Sequence, residues 1–89
     1  MKAIVTVVGK DSVGIIAFVS AMLAEKGVNI LDISQTVLQG YFTMMMIVDV
    51  TGAEDSFASL ASELKTRGEA RGLSIHAQRE DIFEAMHRL

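Results

Sequence analysis

Residues 29–50 read Asn29-Ile-Leu-Asp-Ile-Ser-Gln-Thr-Val-Leu-Gln-Gly40-Tyr-Phe-Thr-Met-Met-Met-Ile-Val-Asp-Val50. Gln39-Gly40 is a turn signal between two extended runs, so Asn29 to Leu38 and Tyr41 to Val50 are expected to form a hairpin. The two arms differ. In the first, Leu31, Ile33 and Val37 alternate with Asp32, Ser34 and Thr36, the pattern of an edge strand with one wet face. In the second, Phe42 to Val48 is apolar at consecutive positions, as in a strand apolar on both faces. Met44, Met45 and Met46 are read as core rather than as an adaptable binding surface, although alternation sends at least one of them to the opposite face.

Working outward from the hairpin, Ala3-Ile-Val-Thr-Val-Val8 is β-branched nearly throughout and reads as a second doubly apolar strand. From Val13 to Lys26 the period lengthens, and Ile15, Ile16, Val19, Met22 and Leu23 fall on one side of a helix. Asp11 or Ser12 is placed to cap its start, and Gly27 to end it in the left-handed conformation. Beyond the hairpin, Thr51-Gly-Ala-Glu54 has capping-box spacing, and Phe57, Leu60, Ala61 and Leu64 make a helical stripe up to about Arg71. Gly68 is a weak point where that helix is expected to fray or end. The charges Glu63, Lys65, Arg67, Glu69 and Arg71 read as its solvated face. Leu73-Ser-Ile-His-Ala-Gln78 alternates as a further edge strand. Ile82, Phe83, Met86 and Leu89 then give a short C-terminal helix over about 80–89.

The order is β-α-β-β-α-β, so the expected class is α+β: a ferredoxin-like antiparallel sheet with two helices on one face and an extra C-terminal helix. The first and third strands are central in that plan, which agrees with their apolar content. A chain of 89 residues makes one domain, with a core over about 1–79. The net charge of −3 leaves no basic field for nucleic acid. Without cysteine there is no disulfide framework, thiolate nucleophile or Cys-based metal site. The run after Met1 is too short for a signal-peptide core or a spanning helix, so the expected compartment is the cytoplasm and no membrane partner is expected.

The segment Val7-Val-Gly-Lys-Asp-Ser-Val-Gly-Ile15, followed by a helix and then by Lys26-Gly-Val-Asn-Ile30, resembles the ACT domain. Val13 stands where that family commonly has proline, while Gly14 and Ile15 agree with its pattern. The stretches Ile33-Ser-Gln-Thr36, Tyr41-Phe-Thr-Met-Met45 and Ile82-Phe-Glu-Ala-Met86 are similar to stand-alone bacterial ACT proteins related to the glycine cleavage system transcriptional repressor. The resemblance implies a regulatory module that binds small molecules, typically in amino-acid metabolism. It implies no enzyme and no cofactor.

The candidate site is the loop that follows the first strand. A strand running through glycine-bounded residues into a helix presents free N–H groups and a positive partial charge, which suit a carboxylate. Asp11 is placed to pair with an ammonium, and Asn29 offers one acceptor and two donors. The expected lining is Gly9, Lys10, Asp11, Ser12, Val13, Gly14 and Ile15 from one chain, with Asn29 and Ile30 from the same chain or its partner. The competing account leaves these residues only capping and turning the backbone, in a purely structural oligomerisation domain. His76 and His87 have no second ligand at metal spacing. An acylphosphatase-like enzyme needs a guanidinium in the first loop, where this chain has Lys10 and Asp11, and Asp11 repels a phosphoryl group. An RNA-recognition module needs stacking aromatics where the central strands carry Val and Met. A homodimer is expected because an unfinished edge strand beside an apolar helix invites pairing, edge to edge or face to face. Any role in transcription runs through a protein partner.

Overall fold

The computed structural model describes residues 1–10 and 13–82. The elements are β1 (Lys2–Lys10), α1 (Ile15–Glu25), β2 (Asn29–Leu38), β3 (Tyr41–Asp49), a single 3₁₀ turn (Glu54–Ser56), α2 (Phe57–Glu69) and β4 (Leu73–Arg79), with helix resuming over 80–82. The strands form one antiparallel sheet in the order β2-β3-β1-β4. The doubly apolar runs are therefore central and the alternating runs are edges, as read from the sequence. Residues 83–89, which carry Phe83, Met86, His87 and Leu89 of the expected C-terminal helix, lie outside the described residues.

Alternation along the central strands builds one core between the sheet and the two helices. Ala3, Val5 and Val7 of β1 and Phe42, Met44, Met46 and Val48 of β3 are buried with Val19, Met22 and Leu23 of α1 and Leu60 and Leu64 of α2. Met45 lies on the other face and is 41% exposed, so the methionine run divides as its alternation requires. Gln39 and Gly40 both take positive φ, 51° and 81°, which is the turn that matches the twist of a two-residue hairpin. Gly27 closes α1 with φ 71°.

Four local expectations change. Helix α1 begins at Ile15, with Gly14 at its N-cap in the left-handed region and no side-chain capping bond. Asp11 and Ser12, expected to cap it, lie outside the described residues. The Thr51-to-Glu54 capping box does not form, because α2 starts later, after Ser56. The Thr51 hydroxyl instead donates to Asp49 Oδ1, and Ser56 Oγ donates to the carbonyl of Ala53. Gly68 does not end α2. It is buried inside the helix, and a Cβ there would lie 2.7 Å from Ile75 Cδ1 and 3.3 Å from the Leu73 carbonyl oxygen. Glycine serves close approach of the helix to β4, which outweighs its poor helix propensity. Finally, β2 carries a bulge. Ile30 pairs with Val48 and Asp32 with Ile47, so Leu31 is extra. Ile30 and Ile33 thereby share the helix side of the sheet, which simple alternation forbids.

The charged face of α2 is partly engaged. Glu63 takes Lys26 Nζ at 2.9 Å and Arg67 at 3.2 Å, and Arg67 also reaches Glu25. Lys26, then Arg67, hold the Glu63 carboxyl below its usual range, and the Thr51 hydroxyl and N–H do the same for Asp49. Both groups are more acidic folded than unfolded. Their contribution to stability is whole above the ordinary carboxylate values and is lost as pH falls through the lower folded ones. The thermal midpoint is therefore expected to fall with acidification in that window, with a shallower slope in Asp49→Asn. Identical slopes in thermal melts across the acid range would contradict the assignment.

Candidate functional site

Strand β1 runs straight through Gly9 and Lys10, which pair with Phe42 and Tyr41 of β3, so the loop begins only after residue 10. Gly9 also pairs with Leu73 of β4. Its φ is not in the left-handed region, and its lack of a side chain serves proximity: a Cβ would lie 2.6 Å from Leu73 Cδ2 and 3.1 Å from the Gly72 carbonyl oxygen. The root of the loop is thus packed on the turn between α2 and β4. Gly14, at φ 85° with open space around its Cα, does meet the conformational demand expected of a loop glycine.

Beyond Gly14 the first helical bond runs from Phe18 N–H to the Gly14 carbonyl. The N–H groups of Ile15, Ile16 and Ala17 therefore have no carbonyl behind them in the helix, as expected for an acceptor-seeking end. Ile15 itself is 2% exposed and points into the core, so it offers the site its N–H and not its side chain. Val13 is 95% exposed. Asp11 and Ser12 lie outside the described residues.

One residue that the sequence places outside the candidate site joins this region. Arg71 was assigned to a solvated face, yet its Nη2 donates to the Val13 carbonyl at 3.5 Å and its guanidinium lies 4.5 Å from the centre of the Phe18 ring. No local pattern announces this neighbour, because only the pairing of Gly9 with Leu73 brings residue 71 beside residue 13.

Asn29 and Ile30 do not join the loop within one chain. Asn29 pairs with Asp49, and Asp49 pairs with Lys2, which places Asn29 level with the start of β1. The loop leaves from the other end. At about 3.3 Å per residue along β1, roughly 26 Å separates the two halves of the expected site. A groove of about 370 Å³ lies elsewhere, along the free edge of β4, between Lys65 and Glu69 on one side and Ser74 and His76 on the other.

Residues 2–78 match the model of the ACT domain family. This chain belongs to the ACT domain family. Its relatives include an UPF0237 protein of Listeria innocua, 52% identical over 89 residues that make up all of both chains. An ACT domain protein from Streptococcus pneumoniae is 52% identical, superposes with a TM-score of 0.83 and is matched over 98% of each chain. A putative glycine cleavage system transcriptional repressor shares the fold at a TM-score of 0.58 and 22% identity, over 86% of this chain and 44% of that one. ACT domains are regulatory ligand-binding modules, and the ferredoxin-like order found here is theirs. Among the described residues no helix is long and apolar enough to cross a membrane.

Proposed function

We propose that this ACT domain is a cytoplasmic regulatory module, not an enzyme. It binds a small amino acid or similar metabolite at the seam of a homodimer and acts on metabolism through a protein it contacts. The observation that carries the reading is the separation of Asn29 from the loop. Strand β2 runs from the far end of the sheet, at Asn29, to the loop end, where Leu38 pairs with Tyr41 and Tyr41 with Lys10. A second copy laid antiparallel along the same edge brings its own Asn29 and Ile30 to that loop end. The two-fold axis then completes both sites at once.

The edge is suited to such a partner. Leu31, Ile33, Val37 and Leu38 are exposed on it, Leu38 by 70%. Helix α1 carries no charge from Ile15 to Ala24, a composition proper to a helix covered all round, yet it leaves Ile16, Ala17, Ala21 and Ala24 exposed. The opposite edge is protected: Lys65, Glu69, His76 and Arg79 place charge or polarity along β4. Edge pairing through β2 is thus favoured over face-to-face packing. In the dimer, the N–H groups at the start of α1 and the glycine-flanked loop receive a carboxylate, Asp11 receives the ammonium, and the partner's Asn29 closes the site.

Calorimetric titration of the twenty amino acids tests this reading. A binder saturating at one per chain is expected, with Asp11→Ala and Asn29→Ala each weakening it about tenfold or more, the scale of one lost hydrogen bond to a charged group. No binder among the twenty would leave a structural oligomerisation domain as the better account.

A further inference from the structure

Resting on the homodimer just described, we infer its register: two copies pair through residues 32–38 of β2, with the two-fold axis passing at Gln35. The bulge at Leu31 interrupts the edge, and from Asp32 to Leu38 the strand runs in regular register with β3. A neighbouring strand needs an uninterrupted ladder, and a bulge twists the edge away from one. Residues 32–38 are that ladder, and Gln35 is their midpoint.

Face parity narrows the choice. Ile33, Gln35 and Val37 stand opposite Met46, Met44 and Phe42 on the helix side, whereas Asp32, Ser34, Thr36 and Leu38 stand opposite Ile47, Met45, Thr43 and Tyr41 on the open side. For the helices of both copies to share one side of a continuous sheet, directly opposed residues must share a face. The axis then falls on a residue and never between two. The backbone agrees. Ile33 N–H donates to the carboxylate of its neighbour Asp32, at 2.9 Å, so it points away from β3 and out of the sheet edge. The odd-numbered residues therefore direct their N–H and C=O groups outward, and odd must meet odd for hydrogen bonds to be exchanged. On pairing, Ile33 N–H passes from Asp32 to a backbone carbonyl of the other copy.

Among axes on a residue, only Gln35 uses the whole regular run. It sets Ile33 against the partner's Val37 twice, Gln35 against the partner's Gln35, and Ser34 against the partner's Thr36. Ile33 is 40% and Val37 53% exposed in the single chain, so this register covers the two exposed apolar side chains of the helix side with each other. An axis at Ser34 pairs only 32–36 and puts Ile33 against an amide. One at Thr36 pairs only 34–38 and puts Val37 against the same amide. The register at Gln35 also carries the partner's Ile30 and Asn29, which precede the bulge, to the level of the Gln39-Gly40 turn, one step beyond Tyr41, the neighbour of Lys10.

The chain has no cysteine, so one introduced thiol reports its own neighbours. Gln35→Cys places two thiols on Cα atoms about 5.5 Å apart, within disulfide reach, whereas Ser34→Cys leaves them about 8 Å apart and out of reach. Oxidation followed by non-reducing electrophoresis is expected to convert most of the Gln35→Cys chains to covalent dimer and few of the Ser34→Cys chains. Ile33→Cys mixed with Val37→Cys is expected to cross-link, and neither alone. More efficient cross-linking at Ser34→Cys, or at Ile33→Cys alone, would overturn the register. Wild-type chain that sediments as dimer while Gln35→Cys fails to cross-link would overturn the register and leave the assembly standing. Wild-type chain that sediments only as monomer at micromolar concentration would overturn both.

Discussion

Ile33→Asp is expected to sediment as a monomer at concentrations where the wild-type chain is a dimer, with the dissociation constant raised at least about a hundredfold. In the single chain Ile33 is 40% exposed on an edge strand, so an aspartate there keeps much of its water and the fold tolerates it. In the dimer the same position faces the partner's Val37, and symmetry buries two carboxylates beside apolar side chains with no cation opposite. Taking an ion out of water costs several kcal/mol even after relaxation, and each 1.4 kcal/mol is about a factor of ten in affinity, so a hundredfold is a lower bound. Sedimentation across a concentration series measures it, and circular dichroism checks that the variant is folded. Lys65→Asp on the β4 side is the control and leaves association unchanged. An Ile33→Asp chain that remains dimeric would place the interface away from β2. Because the partner supplies Asn29, the monomeric variant is also expected to lose amino-acid binding even though every residue of its own loop is intact.

Gly68→Val is expected to have the largest effect on stability, about 2 kcal/mol, seen as a thermal midpoint lower by roughly 10 °C for a domain of this size. The first added carbon meets Ile75 Cδ1 at 2.7 Å and Cγ1 at 2.8 Å, and the Leu73 carbonyl oxygen at 3.3 Å. Ile75 is 1% exposed, and the carbonyl belongs to a strand held by β1. Helix α2 must therefore lift from β4. The gain in helix propensity on replacing glycine, at most about 1 kcal/mol, offsets part of that cost, and Gly68→Ala sits nearer to balance for this reason. Lifting α2 also withdraws Arg71 from Val13, so ligand affinity is expected to fall together with stability. An unchanged midpoint in Gly68→Val would mean that the helix ends before residue 68 in solution, as its propensity alone suggests.

Much of the fold was legible because the relevant signals are local. Consecutive apolar positions at Ala3 to Val8 and Phe42 to Val48 mark strands with a requirement on both faces, and strict alternation at Leu73 to Gln78 marks one without. Those patterns place the strands in the centre or at the edge before any pairing is known. The hairpin at Gln39-Gly40 was legible for a similar reason, since two adjacent residues at positive φ have few alternatives. The capping box at Thr51 was misread because an eligible side chain has other uses: the Thr51 hydroxyl serves Asp49, and α2 starts later. The bulge at Leu31 could not be read, since a strand with one extra residue still looks like alternation when each half is short.

The candidate site was legible by residue type and not by place. Chemistry picks out the loop around Gly14 and the amide of Asn29 as candidates for an amino acid, and the sheet register sets them at opposite ends of one chain. What the sequence by itself determined is the order of elements, the identity of the central strands and the family, because periodicity and turn chemistry act over a few neighbouring residues. Only the tertiary structure decided that Asn29 lies at the far end of the sheet from the loop it was meant to complete, that Gly9 and Gly68 are sites of close approach, and that Arg71 reaches Val13. Those facts are distances between residues far apart in the chain, and the antiparallel register of β1 with β3 and β4 sets them.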